Sequence, residues 1–105
     1  MKIAALDRKY SPLGNRVLIR PIENTKEERM RGSIELSEDA LPVQHAEVVA
    51  VGVGEKSVQT GEIIPMELKE GDTVLIRKSM AFLPVRQNGE DLMLVREPDI
   101  ECIAG

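Results

Sequence analysis

Three features of this 105-residue sequence could do chemistry, and each needs companions to do it. His45 is the single histidine and Cys102 the single cysteine. A structural zinc takes about four Cys or His ligands, and a catalytic zinc about three protein ligands. Two lone residues far apart in the chain do not meet either requirement. His45 is expected at a strand edge, and Cys102 as a small, half-buried apolar residue. Val51-Gly52-Val53-Gly54-Glu55-Lys56-Ser57 is a loose match to a dinucleotide fingerprint, which works by presenting phosphates to a helix N-terminus. Here Val58-Gln59-Thr60-Gly61 follows at once as another turn. No helix has room to form, and the glycines are expected to shape a strand-to-loop exit. Carboxylate pairs stand at Glu27-Glu28, Glu38-Asp39 and Glu90-Asp91. Adjacent carboxylates on turns are ordinarily solvated, and no activated nucleophile accompanies them. Without a catalytic constellation, metal ligands or a cofactor motif, the chain reads as a non-enzyme whose work is binding.

Composition narrows what it binds. The chain is 42% hydrophobic and 30% charged, as folded soluble proteins are, and its length suits one domain with one core. Tyr10 and Phe82 are the only aromatics, so Val, Ile, Leu and Met must fill that core. The formal net charge is −4, with Lys and Arg scattered. Polyanion binding calls for clustered positive charge and often stacking aromatics, which argues against a nucleic-acid partner. A single cysteine leaves no internal disulfide framework. The apolar start, Met1 to Leu6, is too short for a signal-peptide core, and no run approaches a membrane span. A cytoplasmic location with no membrane partner is expected.

The elements that position any binding surface are strands. The apolar runs are short, rich in β-branched residues and bounded by Gly, Pro or Asn. They are Arg16 to Arg20, stopped by Pro21; Glu47 to Val51; Glu62 to Leu68; Thr73 to Arg77; Phe82 to Arg86; Asp91 to Arg96; and a last run around Ile100 to Ile103. Period-two alternation sets Val17 and Ile19 against Arg16, Leu18 and Arg20, and Val74 and Ile76 against their neighbours. Val48 to Val51 is apolar throughout, which suggests burial on both faces. Asn88-Gly89 is a strong hairpin signal, Thr60-Gly61 looks like another tip, and Lys69-Glu70-Gly71-Asp72 is a tight turn. Short strands without a sustained helical period predict a compact β-barrel or sandwich.

One segment stands apart. Glu23 to His45 is 23 residues long, nine of them charged, and structureless loops of that length are usually functional or disordered. A local helix is one reading: Thr25-Lys26-Glu27-Glu28 fits a capping box, and Met30 and Ile34 are four apart. Gly32 and Pro42 limit any such helix to a turn or two. As extended chain, Ile34 and Leu36 instead point to one side and Glu35 to the other. Two aliphatic anchors on a polar loop suit recognition of a groove on a partner, with the loop ordered on binding.

Pro12-Leu13-Gly14-Asn15-Arg16-Val17-Leu18-Ile19 resembles the opening strand of GroES-type co-chaperonins, and Ala46 to Gly52 resembles their second strand. Gly61 to Pro65 with Lys69-x-Gly71-Asp72-Thr73-Val74 is similar to their roof hairpin and the strand after it, and Pro98-Asp99-Ile100 to their closing strand. The likeness is co-linear from about Pro12 to Ile103. It implies an all-β fold: a small irregular GroES-like β-barrel over residues 12–105, preceded by an N-terminal extension over 1–11. A mobile loop would span about 23–45 and a roof β-hairpin about 53–68. Such chains assemble as a seven-membered ring that caps a GroEL-type chaperonin in an ATP-dependent cycle and encloses folding clients. ATP would be bound by the partner chaperonin, not by this chain.

In that family the mobile loop carries Gly-Gly-Ile-x-Leu, whose aliphatics enter a groove on the chaperonin. The matching residues are Gly32, Ser33, Ile34, Glu35 and Leu36. Ser33 replaces a glycine and should stiffen the loop slightly. Glu35 replaces a usually apolar residue, which should weaken docking or mark a partner with a compensating basic group. Met80-Ala81-Phe82 departs from a Tyr-Gly-like turn. Zinc-dependent alcohol dehydrogenases share a GroES-like barrel but need zinc ligands and a nucleotide domain, and an oligonucleotide-binding barrel is opposed by the charge. A drifted GroES-like ring or scaffold that no longer serves a chaperonin is the remaining alternative.

Overall fold

Each apolar run of the sequence becomes a strand because its branched side chains pack on a pleated surface and its flanking Gly, Pro and Asn residues stop it. The computed structural model describes residues 8–104. The strands are β1 (Arg16–Ile22), β2 (Met30–Arg31), β3 (Ile34–Glu35), β4 (Val43–Val51), β5 (Glu55–Lys56), β6 (Ile63–Ile64), β7 (Thr73–Arg77), β8 (Leu83–Gln87), β9 (Glu90–Arg96) and β10 (Ile100–Ala104). Six of them form one antiparallel sheet in the order β10-β7-β4-β1-β9-β8, and β2-β3 and β5-β6 form two small hairpins beside it. The fold is all-β, as expected.

The sheet buries both faces. Val17 and Ile19 of β1, Ala46 and Val48 of β4, Val74 and Ile76 of β7 and Val95 of β9 form the main core with Leu68. Ile100 of the edge strand β10 packs against the same cluster, so the sheet curls around one apolar centre. On the opposite face Leu18, Val85 and Leu92 make a second cluster, against which Tyr10, Val49, Ala50 and Leu94 pack. Leu18 is therefore not the outward residue that simple alternation suggested: it is fully buried, beneath the N-terminal strap that carries Tyr10. The strap is tied down by the amides of Arg8 and Tyr10, which donate to the Arg86 carbonyl (3.0 Å) and to Gln87 Oε1 (2.8 Å). Residues 8–11 of the expected extension thus belong to the body of the domain, and residues 1–7 lie outside the described part.

Several boundaries differ from expectation for identifiable reasons. Strand β1 runs through Pro21, which pairs with Ala46 of β4, because β9 stops pairing at Ile19 and Pro21 faces no second neighbour that would need its missing N–H. Strand β4 begins at Val43, since Val43 to Glu47 pair with β7, and the loop before it closes earlier than residue 45. The run from Glu62 to Leu68 is a strand only at Ile63–Ile64; Pro65 ends it, and Leu68 turns inward to plug the core. Asn88 and Gly89 both have positive φ (52° and 77°), as the β8–β9 turn requires.

Candidate functional site

The loop between β1 and β4 is folded. Its entry is a single helical turn closed by a reciprocal capping box: the Thr25 amide donates to Glu28 Oε1 (2.8 Å) and the Glu28 amide to Thr25 Oγ1 (3.2 Å). The Arg29 amide donates to the Thr25 carbonyl at 3.1 Å, and there the turn ends. Met30 and Ile34 do not form a helical pair. The chain instead doubles back at Gly32-Ser33 into a β2–β3 hairpin, with Met30 opposite Glu35 and Arg31 opposite Ile34. Gly32 sits at φ +60°, a conformation that favours glycine, so it turns the hairpin where a side chain would be strained. Ser33 beside it needs no such freedom.

The hairpin presents its residues unequally. Ile34 is 66% exposed, a large aliphatic that the fold leaves in water. Leu36 is half-buried, and its amide donates to the Arg29 carbonyl at 2.9 Å. Glu35 is exposed, yet its carboxylate lies 3.5 Å from Arg29 Nη1. A basic group thus faces Glu35 from within its own loop, whereas the sequence pointed to water or to a basic group on a partner.

Below the hairpin, Ser37 leads into a 3-10 turn, Glu38–Ala40, that pins the loop to the barrel. Glu38 Oε1 accepts from the Asn24 amide (3.1 Å) and from Asn24 Nδ2 (3.0 Å), with Lys78 Nζ at 3.2 Å. Lys78 Nζ also donates to the Glu38 carbonyl. The Asn24 amide bond, followed by the Lys78 ammonium, holds the Glu38 carboxyl below its ordinary range despite some desolvation. Asn24, the one buried polar residue among those described, completes its bonding by donating to the Val43 carbonyl at 3.1 Å. At the loop entry Glu28 Oε2 lies 3.0 Å from His45 Nδ1. His45 is expected at a strand edge, but β4 begins at Val43 and places it inside the strand, between Ile22 and Leu75, where it serves the loop as a tether.

The other chemical candidates are not drawn together. Cys102 is exposed rather than half-buried, because β10 is an edge strand with nothing beyond it in the sheet. No group of three or more His, Cys, Asp or Glu suited to a metal occurs among the described residues. Gly52 and Gly54 serve backbone contact: their amides donate to the carbonyls of Arg16 (3.0 Å) and Gly14 (2.9 Å). A Cβ at Gly52 would collide with the Gly14 carbonyl and one at Gly54 with that of Ile64. Of the six carboxylates in the acidic pairs only Glu38 is not exposed, and Glu28, Glu38, Glu90 and Asp91 each also pair with a cation or with His45. Sequence reading singled out neither Arg29, Asn24 nor Lys78. The capping box was the one local signal of a folded loop; the partners of Glu38 lie too far along the chain to be read.

A sequence profile described as the chaperonin 10 Kd subunit matches residues 9–104. The chain belongs to this family. It is similar to the co-chaperonin GroES of Rickettsia bellii, with 42% identity over 87% of this chain and 93% of that protein. It is similar also to the co-chaperonin GroES of Rhizorhabdus wittichii, 40% identical over 91% of this chain and 98% of that one. Co-chaperonin GroES 1 of Rhizobium meliloti is 36% identical over 91% and 95%. The chaperonin 10 family is one of co-chaperonins, not enzymes. In this co-chaperonin chain the match starts at residue 9, before Pro12, in keeping with the strap packed beneath Leu18.

Proposed function

We propose that this chain caps a GroEL-type chaperonin ring in an ATP-dependent cycle to enclose folding clients, and that it docks through Gly32, Ser33, Ile34, Glu35 and Leu36. The observation that carries the reading is Ile34, a branched aliphatic two-thirds exposed beside the tip of a hairpin that projects from the sheet. Ile34 and Leu36 are the anchors, and Gly32 sets the turn that presents them. In this reading ATP is held by the partner; Gly52 and Gly54 of this chain are occupied with backbone contacts. No helix among the described residues is long and apolar enough to cross a membrane, which suits a cytoplasmic cycle.

Burying one Ile or Leu is worth roughly 1.5–3 kcal/mol. One loop alone binds weakly, and several on one ring bind strongly through effective concentration while each contact stays reversible. A homo-oligomer, in this reading a heptamer, is supported by the two ends of the sheet. Strands β8 and β10 end the sheet, β8 with the strap against part of its outer edge, and each exposes an aliphatic, Leu83 at 59% and Ile103 at 51%. Two unlike ends on one chain favour head-to-tail contacts, which form a ring when the rotation between neighbours closes. The drifted-scaffold alternative rested on Glu35, and Arg29 supplies that residue with a reason to be there.

The test is Ile34→Ser assayed for association with a GroEL-type chaperonin in the presence of ATP. Loss of capping with an unchanged oligomer is expected. Undiminished capping would remove Ile34 from its role as anchor.

A further inference from the structure

The β5–β6 hairpin is firmly built, yet neither of its faces is covered. Its root is fixed by backbone contact: the Gly54 amide donates to the Gly14 carbonyl at 2.9 Å, and the Ile64 carbonyl lies where a Cβ at Gly54 would go. The Ser57 amide donates to the Glu62 carbonyl (2.7 Å) and the Gly61 amide to the Ser57 carbonyl (2.9 Å). Ser57 Oγ accepts from the amides of Gln59 and Thr60 at 3.3 Å each, which closes the turn. Glu55 stands opposite Ile64 and Lys56 opposite Ile63, and residues directly opposite share a face. Because successive residues alternate, one face carries Glu55 with Ile64 and the other Lys56 with Ile63. Ile63 and Ile64 are 56% and 57% exposed, so the two faces are equally bare. Neither Glu55 nor Lys56 forms a salt bridge among the described residues. A two-stranded hairpin alone is marginal in water, and this one is hydrogen-bonded to no other strand among those described.

The faces are alike in their aliphatic and opposite in charge. A head-to-tail contact needs that complementarity, since one face of each copy meets the other face of the next. A two-fold contact would set a face on itself, Glu55 on Glu55 or Lys56 on Lys56, and like charges directly opposite are unfavourable. Resting on the ring reading above, we infer that the β5–β6 hairpin is a second inter-subunit surface whose partner is the same hairpin of a neighbouring copy. The Glu55–Ile64 face of one hairpin packs on the Lys56–Ile63 face of the next, with isoleucine on isoleucine and the charges paired. In a closed ring every hairpin is covered on both sides, and the contact is separate from the one made by the ends of the sheet.

Two measurements on the full-length chain test this. Glu55→Lys sets like charges face to face and should raise the concentration at which the oligomer dissociates about tenfold in sedimentation velocity at low salt, and Lys56→Glu should do the same. The double variant Glu55→Lys/Lys56→Glu restores opposite charges and should return dissociation to the native concentration. For the geometry, Glu55→Cys/Lys56→Cys in a Cys102→Ser background should give a ladder of covalent multimers on a denaturing gel after oxidation. Glu55→Cys alone and Lys56→Cys alone, in the same background, should give none. Single reversals that leave dissociation unmoved, or a double reversal that fails to restore it, would overturn the inference. So would an intact oligomer that yields no ladder; in each of these cases the ring reading stands. A native chain that stays at the monomer mass would strike the ring reading and this inference with it.

Discussion

Glu38 concentrates the loop's electrostatics on a single side chain. Its carboxyl is held below the ordinary range by the Asn24 amide, with Lys78 adding to the effect, so its bonds favour the charged form. The stability this contributes is fully present above the unfolded pKa and disappears as pH falls through the lower folded value. Acidification to below the ordinary carboxylate range should therefore release the 3-10 turn while the strands persist. Exchange at the Asn24 amide, followed against pH, checks this, and Glu38→Gln should show the released behaviour already at neutral pH. Leu18 is the residue where alternation misled. Arg16, Leu18 and Arg20 share one face by period, but only a structure reveals that a strap from before Pro12 covers the middle one. Leu18→Ala should destabilise the fold by about 2–5 kcal/mol in chemical denaturation. A value under about 1 kcal/mol would mean that the second cluster adds little.

Elements were legible wherever local chemistry fixes them. Asn88-Gly89 needs no tertiary information, because only residues that tolerate positive φ close a two-residue turn of that kind. Gly89→Ala, at φ +77°, should cost about 1–2 kcal/mol of stability through backbone strain alone, since nothing lies near the added methyl. Thr25 and Glu28 likewise announced a helix start, and a start is all they built: Gly32 turns the chain back before a second turn can form. Ile34 and Leu36, the anchors proposed above, could be picked out from their alternation in polar surroundings. The Arg29–Glu38–Lys78 path could not. Its members are separated by strands whose register the sequence leaves open, and salt bridges follow register instead of setting it.

For the molecule as a whole, the two ends of the sheet matter most: β10 has no further strand beside it among the described residues, and β8 has only the strap against part of its edge. Unpaired edges with exposed aliphatics associate unless blocked, and complementary ends on one chain direct that association head to tail. Sedimentation velocity should show a species near seven times 11.6 kDa, about 81 kDa, for both the native chain and Ile34→Ser. A species at the monomer mass throughout would mean that the edges need a partner to meet.

The strap beneath Leu18 also has an optical consequence. The chain has no tryptophan and one tyrosine, and that tyrosine is Tyr10, packed on the second cluster beside the sheet. Emission excited in the tyrosine absorption band, which Phe82 does not share, therefore arises from one place. Lifting the strap should alter that emission without any label, and a change that precedes the loss of strand signal would time the strap's release against the unfolding of the barrel.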